Sequence, residues 1–218
     1  MTELTLIFLV GLAGGLHCIN SGCALVNAMG AFSPGRNGLK RHLWFNAGRV
    51  GAYVAMGGLA GAAGGLLVAE PALGRVTPEV LGPRLLPLLA GASMVMMASR
   101  LYAGLPASHG EAAAALQRAA PGMLRSRGVV APLGIGAFSG LLPSPLVIAF
   151  LALAAHTAHP DHGMAIMLAF GLGTVPAALA VNFGGNGLDL WHRGARLAAA
   201  FVLALGVVLL IRGVLPVF

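Results

Sequence analysis

The chain contains two thiols, Cys18 and Cys23, and both fall in its first apolar stretch. His17 precedes the first, and Asn20, Ser21 and Gly22 lie between them. Buried cysteine often packs as a small hydrophobe. Polar and ionisable groups inside an apolar span are costly and usually line a pathway, which favours a chemical role here. On an unbroken helix, side chains five residues apart diverge by about 140° and cannot be bridged. Unwinding at Asn20-Ser21-Gly22 would let the two thiols approach, as a disulfide or around a soft metal ion such as copper(I). His17 beside Cys18 would favour the thiolate, the form that attacks disulfides. Thiol exchange of this kind requires no cofactor.

A second set of ligand-type residues lies late in the chain, in His156-Thr157-Ala158-His159-Pro160-Asp161-His162. The imidazoles of His156, His159 and His162 with a nearby carboxylate could take zinc, copper(II) or nickel, although histidines in short interfacial loops also occur without function. Met94, Met96 and Met97, with Met164 and Met167, carry thioethers but read better as packing or lipid-facing residues. The chain carries no phosphate-binding glycine loop, serine-hydrolase motif or zinc-protease motif.

The elements that position these groups repeat. Gly14-Gly15-Leu16-His17-Cys18 lines up with Gly140-Leu141-Leu142-Pro143-Ser144, and Phe45-x-x-Gly48-x-Val50 with Phe170-x-x-Gly173-x-Val175, at offsets of 125 to 126 residues. Arg84-Leu85 and Arg100 match Arg196-Leu197 and Arg212, both with a separation of 16. Each first apolar segment of the pair carries a break signal, Asn20-Ser21-Gly22 in one and Pro143-Ser144-Pro145 in the other. Helices broken at mid-membrane are how transporters build central sites, because freed backbone groups are tolerated there only where protein or water satisfies them.

Hydrophobic residues make up 58% of the chain and charged residues 9%, with mean hydropathy +0.88. A soluble domain has roughly 25% charged residues, so too few polar side chains exist to cover a water-facing surface. The expected fold is an all-α integral membrane protein of six transmembrane helices, over roughly 4–32, 42–68, 84–104, 129–155, 163–184 and 196–216. It divides into a first three-helix repeat (1–104), a cytoplasmic linker (105–128) and a second, inverted three-helix repeat (129–218), with helices one and four broken. Both termini are expected outside. That places Arg36, Lys40, Arg41, Arg49, Arg100, Arg118, Arg125, Arg127, Arg193 and Arg196 on the cytoplasmic side, against Arg75, Arg84 and Arg212 outside. The net charge of +7 is then a topology signal. No soluble basic face exists for a nucleic acid.

Gly-Leu-x-Gly-Gly-Leu-His17-Cys18, Phe45-Asn46-Ala47-Gly48-Arg49, Gly140-Leu141-Leu142-Pro143 and Leu168-Ala169-Phe170-Gly171-Leu172-Gly173-Thr174-Val175-Pro176 resemble the DsbD/CcdA-like cytochrome c biogenesis transmembrane region family, often grouped with sulfite exporters of the TauE/SafE type. The resemblance covers all six spans. It implies an inner-membrane protein in which one cysteine in helix one and one in helix four carry reducing equivalents from a cytoplasmic thioredoxin-like donor to extracytoplasmic thiol acceptors. Relatives of this broad type are associated with copper delivery and heavy-metal export. The sequence departs from the pattern twice. Cys23 follows Cys18 by five residues where four is usual, and Ser144 stands where a cysteine is expected. A serine cannot form the cross-repeat disulfide, which is compatible with a replaced cysteine and equally with a divergent member that has another task.

The leading expectation is a thiol-based transporter of reducing equivalents, with thiol–disulfide oxidoreductase activity at Cys18, Cys23, His17 and position 144, and with Asn20, Gly22, Pro143 and Pro145 shaping the pathway. The alternative is a permease for a soft metal ion such as copper, with Cys18 and Cys23 as ligands and His156, His159 and His162 collecting the ion outside. A third reading is an anion transporter, in which Arg49 would be the anion's partner unless it is simply an interfacial charge. In every case the bilayer is one partner. The others are a thioredoxin-like donor and extracytoplasmic thiol proteins, or the metal ion.

Overall fold

The computed structural model describes residues 2–20, 36–69, 86–103, 128–142 and 144–183, with helical residues between 200 and 214 described in part. Among the described residues every regular element is a helix: α1 (Thr2–Asn20), α2 (Arg36–Ala69), α3 (Leu86–Tyr102), α4 (Val130–Leu141), α5 (Pro145–His156) and α6 (Pro160–Phe183). Ser21, Gly22, Cys23, Pro143 and the linker over 105–127 lie outside the described residues, as do the side chains of His17, Cys18, Asn20 and Pro145.

Among the described residues no single helix is long and apolar enough to cross a membrane. The fourth expected span is two helices, α4 and α5, which qualify together and are bent by 76° at their junction. Apolar side chains are nevertheless turned outward on nearly every helix, Val130, Leu59 and Leu66 being more than 70% exposed. Water would penalise such a surface heavily; hydrocarbon does not.

Glycine determines how closely the helices approach. A Cβ at Gly48 in α2 would overlap the carbonyl oxygen of Leu133 and crowd the amide of Ala137, both in α4. A Cβ at Gly173 in α6 would do the same to Phe8 and Leu12 of α1. In the reverse direction, Gly136 of α4 rests on the carbonyl of Phe45, and Gly11 of α1 rests on the carbonyl of Phe170. Gly48, Leu133, Ala137, Gly136 and Phe45 of the α2–α4 contact each have their counterpart 125 positions away in the α1–α6 contact, at Gly173, Phe8, Leu12, Gly11 and Phe170. The second half of α2 presents Gly57, Gly61 and Gly64 to backbone carbonyls of Gly163, His159 and Ala155, so α2 and the α5–α6 corner meet backbone to backbone.

The core lies where α1, α2, α3, α5 and α6 converge, with Ile7 and Val10 as the contribution of α1. Phe150 stacks on Phe170 at 4.7 Å, and Tyr53 tilts against the same ring at 5.5 Å. Met94, Met167 and Ala154 fill the surrounding space. Aromatic pairs of this geometry add about 0.5–1.5 kcal/mol each beyond their burial.

Candidate functional site

The break between α4 and α5 is built by its own residues. Leu142 leaves the helix in an extended conformation (φ −69°, ψ 123°), and Ser144 is extended as well (φ −107°, ψ 153°). Ser144 is the N-cap of α5: its Oγ accepts the amide of Val147 at 3.2 Å, and its carbonyl accepts the amide of Ile148 at 3.0 Å. Pro145 occupies the first turn, where its missing amide hydrogen leaves nothing unsatisfied. The Pro143-Ser144-Pro145 signal therefore marks a true helix break, and its central residue acts as a cap. α1 is helical through His17 and Cys18 to Asn20, and the rest of its break signal, Ser21 and Gly22, lies outside the described residues.

A buried polar layer lies beside this break. His42, Asn46 and Arg49 recur at i, i+4 and i+7 on one face of α2, and all three are buried at 4% exposure or less. Asn46 Nδ2 donates to the carbonyl of His42 at 2.9 Å, while its Oδ1 is buried with no hydrogen-bond partner among the described residues. Arg49 Nη2 donates to Oγ1 of Thr174 in α6, and that hydroxyl donates to the carbonyl of Gly171 at 2.7 Å. The guanidinium carbon lies 6.0 Å from the centre of the Phe45 ring, within cation–π range. Gly140, in the last turn of α4, connects the layer to the break: a Cβ there would sit 2.9 Å from the Arg49 carbonyl oxygen and 3.3 Å from its Cγ.

A family model described as the cytochrome C biogenesis protein transmembrane region matches residues 6–215. The chain belongs to this family. No curated protein and no solved structure matches it. As a cytochrome C biogenesis transmembrane region, the chain is a membrane protein, and the bilayer is the solvent for its outward-facing leucines and valines.

Arg49 lies inside the bundle at 4% exposure, held by Thr174. The glycine-lined α2 packs closely on α6, and a hydroxyl from α6 meets the guanidinium there. His42, Asn46 and Thr174 join Arg49 in this layer, and the four- and three-residue spacing of His42, Asn46 and Arg49 in an apolar stretch is the sequence signal for it. In the α5–α6 corner, His156, His159 and His162 are all exposed. The rings of His159 and His162 meet edge to face at 5.5 Å. Among the described residues no three His, Cys, Asp or Glu side chains come together as a metal-ligand group. Met94 and Met167 are core residues, at 2% and 0% exposure.

Proposed function

We propose that this chain carries reducing equivalents across the cytoplasmic membrane by thiol–disulfide exchange, from a thioredoxin-like donor inside to thiol proteins outside. The family match over 6–215 is the observation that carries this reading. Cys18 is the exchanging thiol, with His17 favouring its thiolate. Ser144 has no redox chemistry and its oxygen serves as a helix cap, so the two electrons reside on Cys18 and Cys23. The Cys18–Cys23 dithiol gives up two electrons and two protons as its disulfide forms, and the acceptor disulfide takes them up to become a dithiol. A reduced thioredoxin-like donor then restores the pair and leaves as its own disulfide.

The architecture proposed for this task is six spans in two inverted three-helix repeats, 1–104 and 129–218, with both termini extracytoplasmic. The matched α2–α4 and α1–α6 glycine contacts support it. So does the helix break at Ser144.

The test uses the full, reduced chain in proteoliposomes and a thioredoxin lacking its resolving cysteine, its remaining thiol activated as a mixed disulfide with a small aromatic thiol, which leaves when the Cys18 thiolate attacks. Wild type should form a mixed disulfide through Cys18, Cys23→Ser should accumulate it, and Cys18→Ser should abolish it, as read by non-reducing gels and alkylation mass shifts. Thiols that never form the adduct would refute the reading. Ser144→Cys adds a further arm. If position 144 lies opposite Cys18, with Cα atoms within about 7 Å, mild oxidation should give an internal crosslink that thioredoxin reverses.

The second reading, a soft-metal permease using Cys18 and Cys23 with His156, His159 and His162 outside, draws support from the adjacent His159 and His162 rings. Copper bound stoichiometrically by wild type and lost in Cys18→Ser would favour it over the relay.

A further inference from the structure

Arg49 and Thr174 occupy the same place in the two copies of the Phe-x-x-Gly-x-Val segment, 125 residues apart, and they are hydrogen-bonded to each other. Two residues related by a twofold axis can touch only where the axis passes between them. The third helix of each repeat supplies a second such point. The offset of 112 that matches Arg84 to Arg196 and Arg100 to Arg212 also matches Met94 to Gly206. A Cβ at Gly206 would lie 2.9 Å from the Cβ of Met94. Two independent self-matching contacts define a line through the bundle, and the paired glycine contacts of Gly48 and Gly173 flank it.

We infer that the Arg49–Thr174 bond is the pivot about which the two halves of the bundle rock during transport. The inference rests on the carrier reading with inverted repeats. When two inverted repeats rock against each other, an off-axis contact on one side opens while its counterpart closes. A contact on the axis maps onto itself, and need not break in either state. The chemistry suits a bond that is kept. A charge-assisted hydrogen bond is stronger than a neutral one, and an arginine deep in a membrane protein is costly to release from its partner. Thr174 Oγ1 is itself fixed by its bond to the Gly171 carbonyl, which orients its acceptor face toward Arg49. Arg49 and Thr174 are thus positioning residues, and act without touching the transported electrons.

The experiment exchanges the pair. Full-length protein, in lipid nanodiscs for the thermal midpoint and in sealed, oriented proteoliposomes for labelling, is compared as wild type, Thr174→Val, Thr174→Ser, Arg49→Thr and the swapped double variant Arg49→Thr/Thr174→Arg. Two quantities are read: the thermal midpoint, and the ratio of Cys18 and Cys23 modification by a bulky impermeant thiol reagent added from either face. Thr174→Val and Arg49→Thr should each lower the midpoint by about 4–8 °C, the size expected for losing a hydrogen bond to a charged group. Thr174→Ser should keep the wild-type midpoint. The swapped variant should regain most of the loss, because equivalent positions on an axis accept each other's residue. A bond that was merely structural, in two unlike surroundings, would not be rescued by the exchange. The two-face ratio should stay at its wild-type value throughout. A swapped variant as unstable as the singles would overturn the inference. So would a ratio displaced by on the order of tenfold, equivalent to about 1.4 kcal/mol, since that bond would belong to one state only. Neither readout requires electron transfer, so a protein inactive with every donor counts against the carrier reading alone.

Discussion

Replacing Ser144 with alanine removes the side-chain acceptor that starts α5. Its Oγ takes the Val147 amide at 3.2 Å, whereas the Ser144 carbonyl takes the Ile148 amide at 3.0 Å and survives the substitution. Pro145 has no amide hydrogen to lose. The variant therefore uncaps a single donor. Loss of a cap costs about 0.5–2 kcal/mol. The upper half of that range applies, because Val147 is 3% exposed and water is poorly placed to replace the hydroxyl. For a chain of 218 residues, about 1–2 kcal/mol corresponds to a midpoint lowered by about 2–8 °C. Thermal unfolding in nanodiscs reads this, and hydrogen exchange at the Val147 amide, which should accelerate, localises it. Ser144→Asn, which retains a capping oxygen, should keep most of the stability. An alanine variant with unchanged midpoint and exchange, or an asparagine variant as unstable as alanine, would refute the assignment of Ser144 as the group that holds the break.

Two further outcomes follow from the backbone. Gly48→Val and Gly173→Val should be damaging to a similar degree, about 3 kcal/mol or more, because each places side-chain atoms into a carbonyl that has no rotamer to yield; folded yield and midpoint measure it, and one tolerated glycine would break the equivalence of the two contacts. Ala158 holds φ 56°, a left-handed conformation that costs a side-chain-bearing residue about 1–2 kcal/mol. Ala158→Gly should raise the midpoint by about 2 °C after the entropy cost of glycine in the unfolded chain, and a lowered midpoint would show that the alanine methyl packs favourably there.

Much of this molecule was legible before any coordinates. The composition determined the solvent, since 9% charged residues cannot cover a water-facing surface. Among the described residues the helices overlap the apolar stretches expected to be helical, although α2 begins at Arg36, ahead of its expected start near 42. Pro143-Ser144-Pro145 announced the break after Leu141, a local consequence of proline's missing donor. The 125-residue offset was also visible, but only as a string similarity.

Tertiary structure decided what that offset means. Arg49 could equally have been an exposed charge, because local sequence does not fix which side of a glycine-rich helix is covered or what meets it. The close approach of α2 to α4 and α6, permitted by Gly48 and Gly57, brings Thr174 to the guanidinium and buries His42 and Asn46 beside it. The His156, His159 and His162 cluster shows the opposite case. Spacing suggested three converging ligands, but the turn at Ala158 and the start of α6 at Pro160 bring only His159 and His162 into ring contact. Spacing along a chain sets which side chains can meet; the packing of helices from distant parts of that chain determines which ones do.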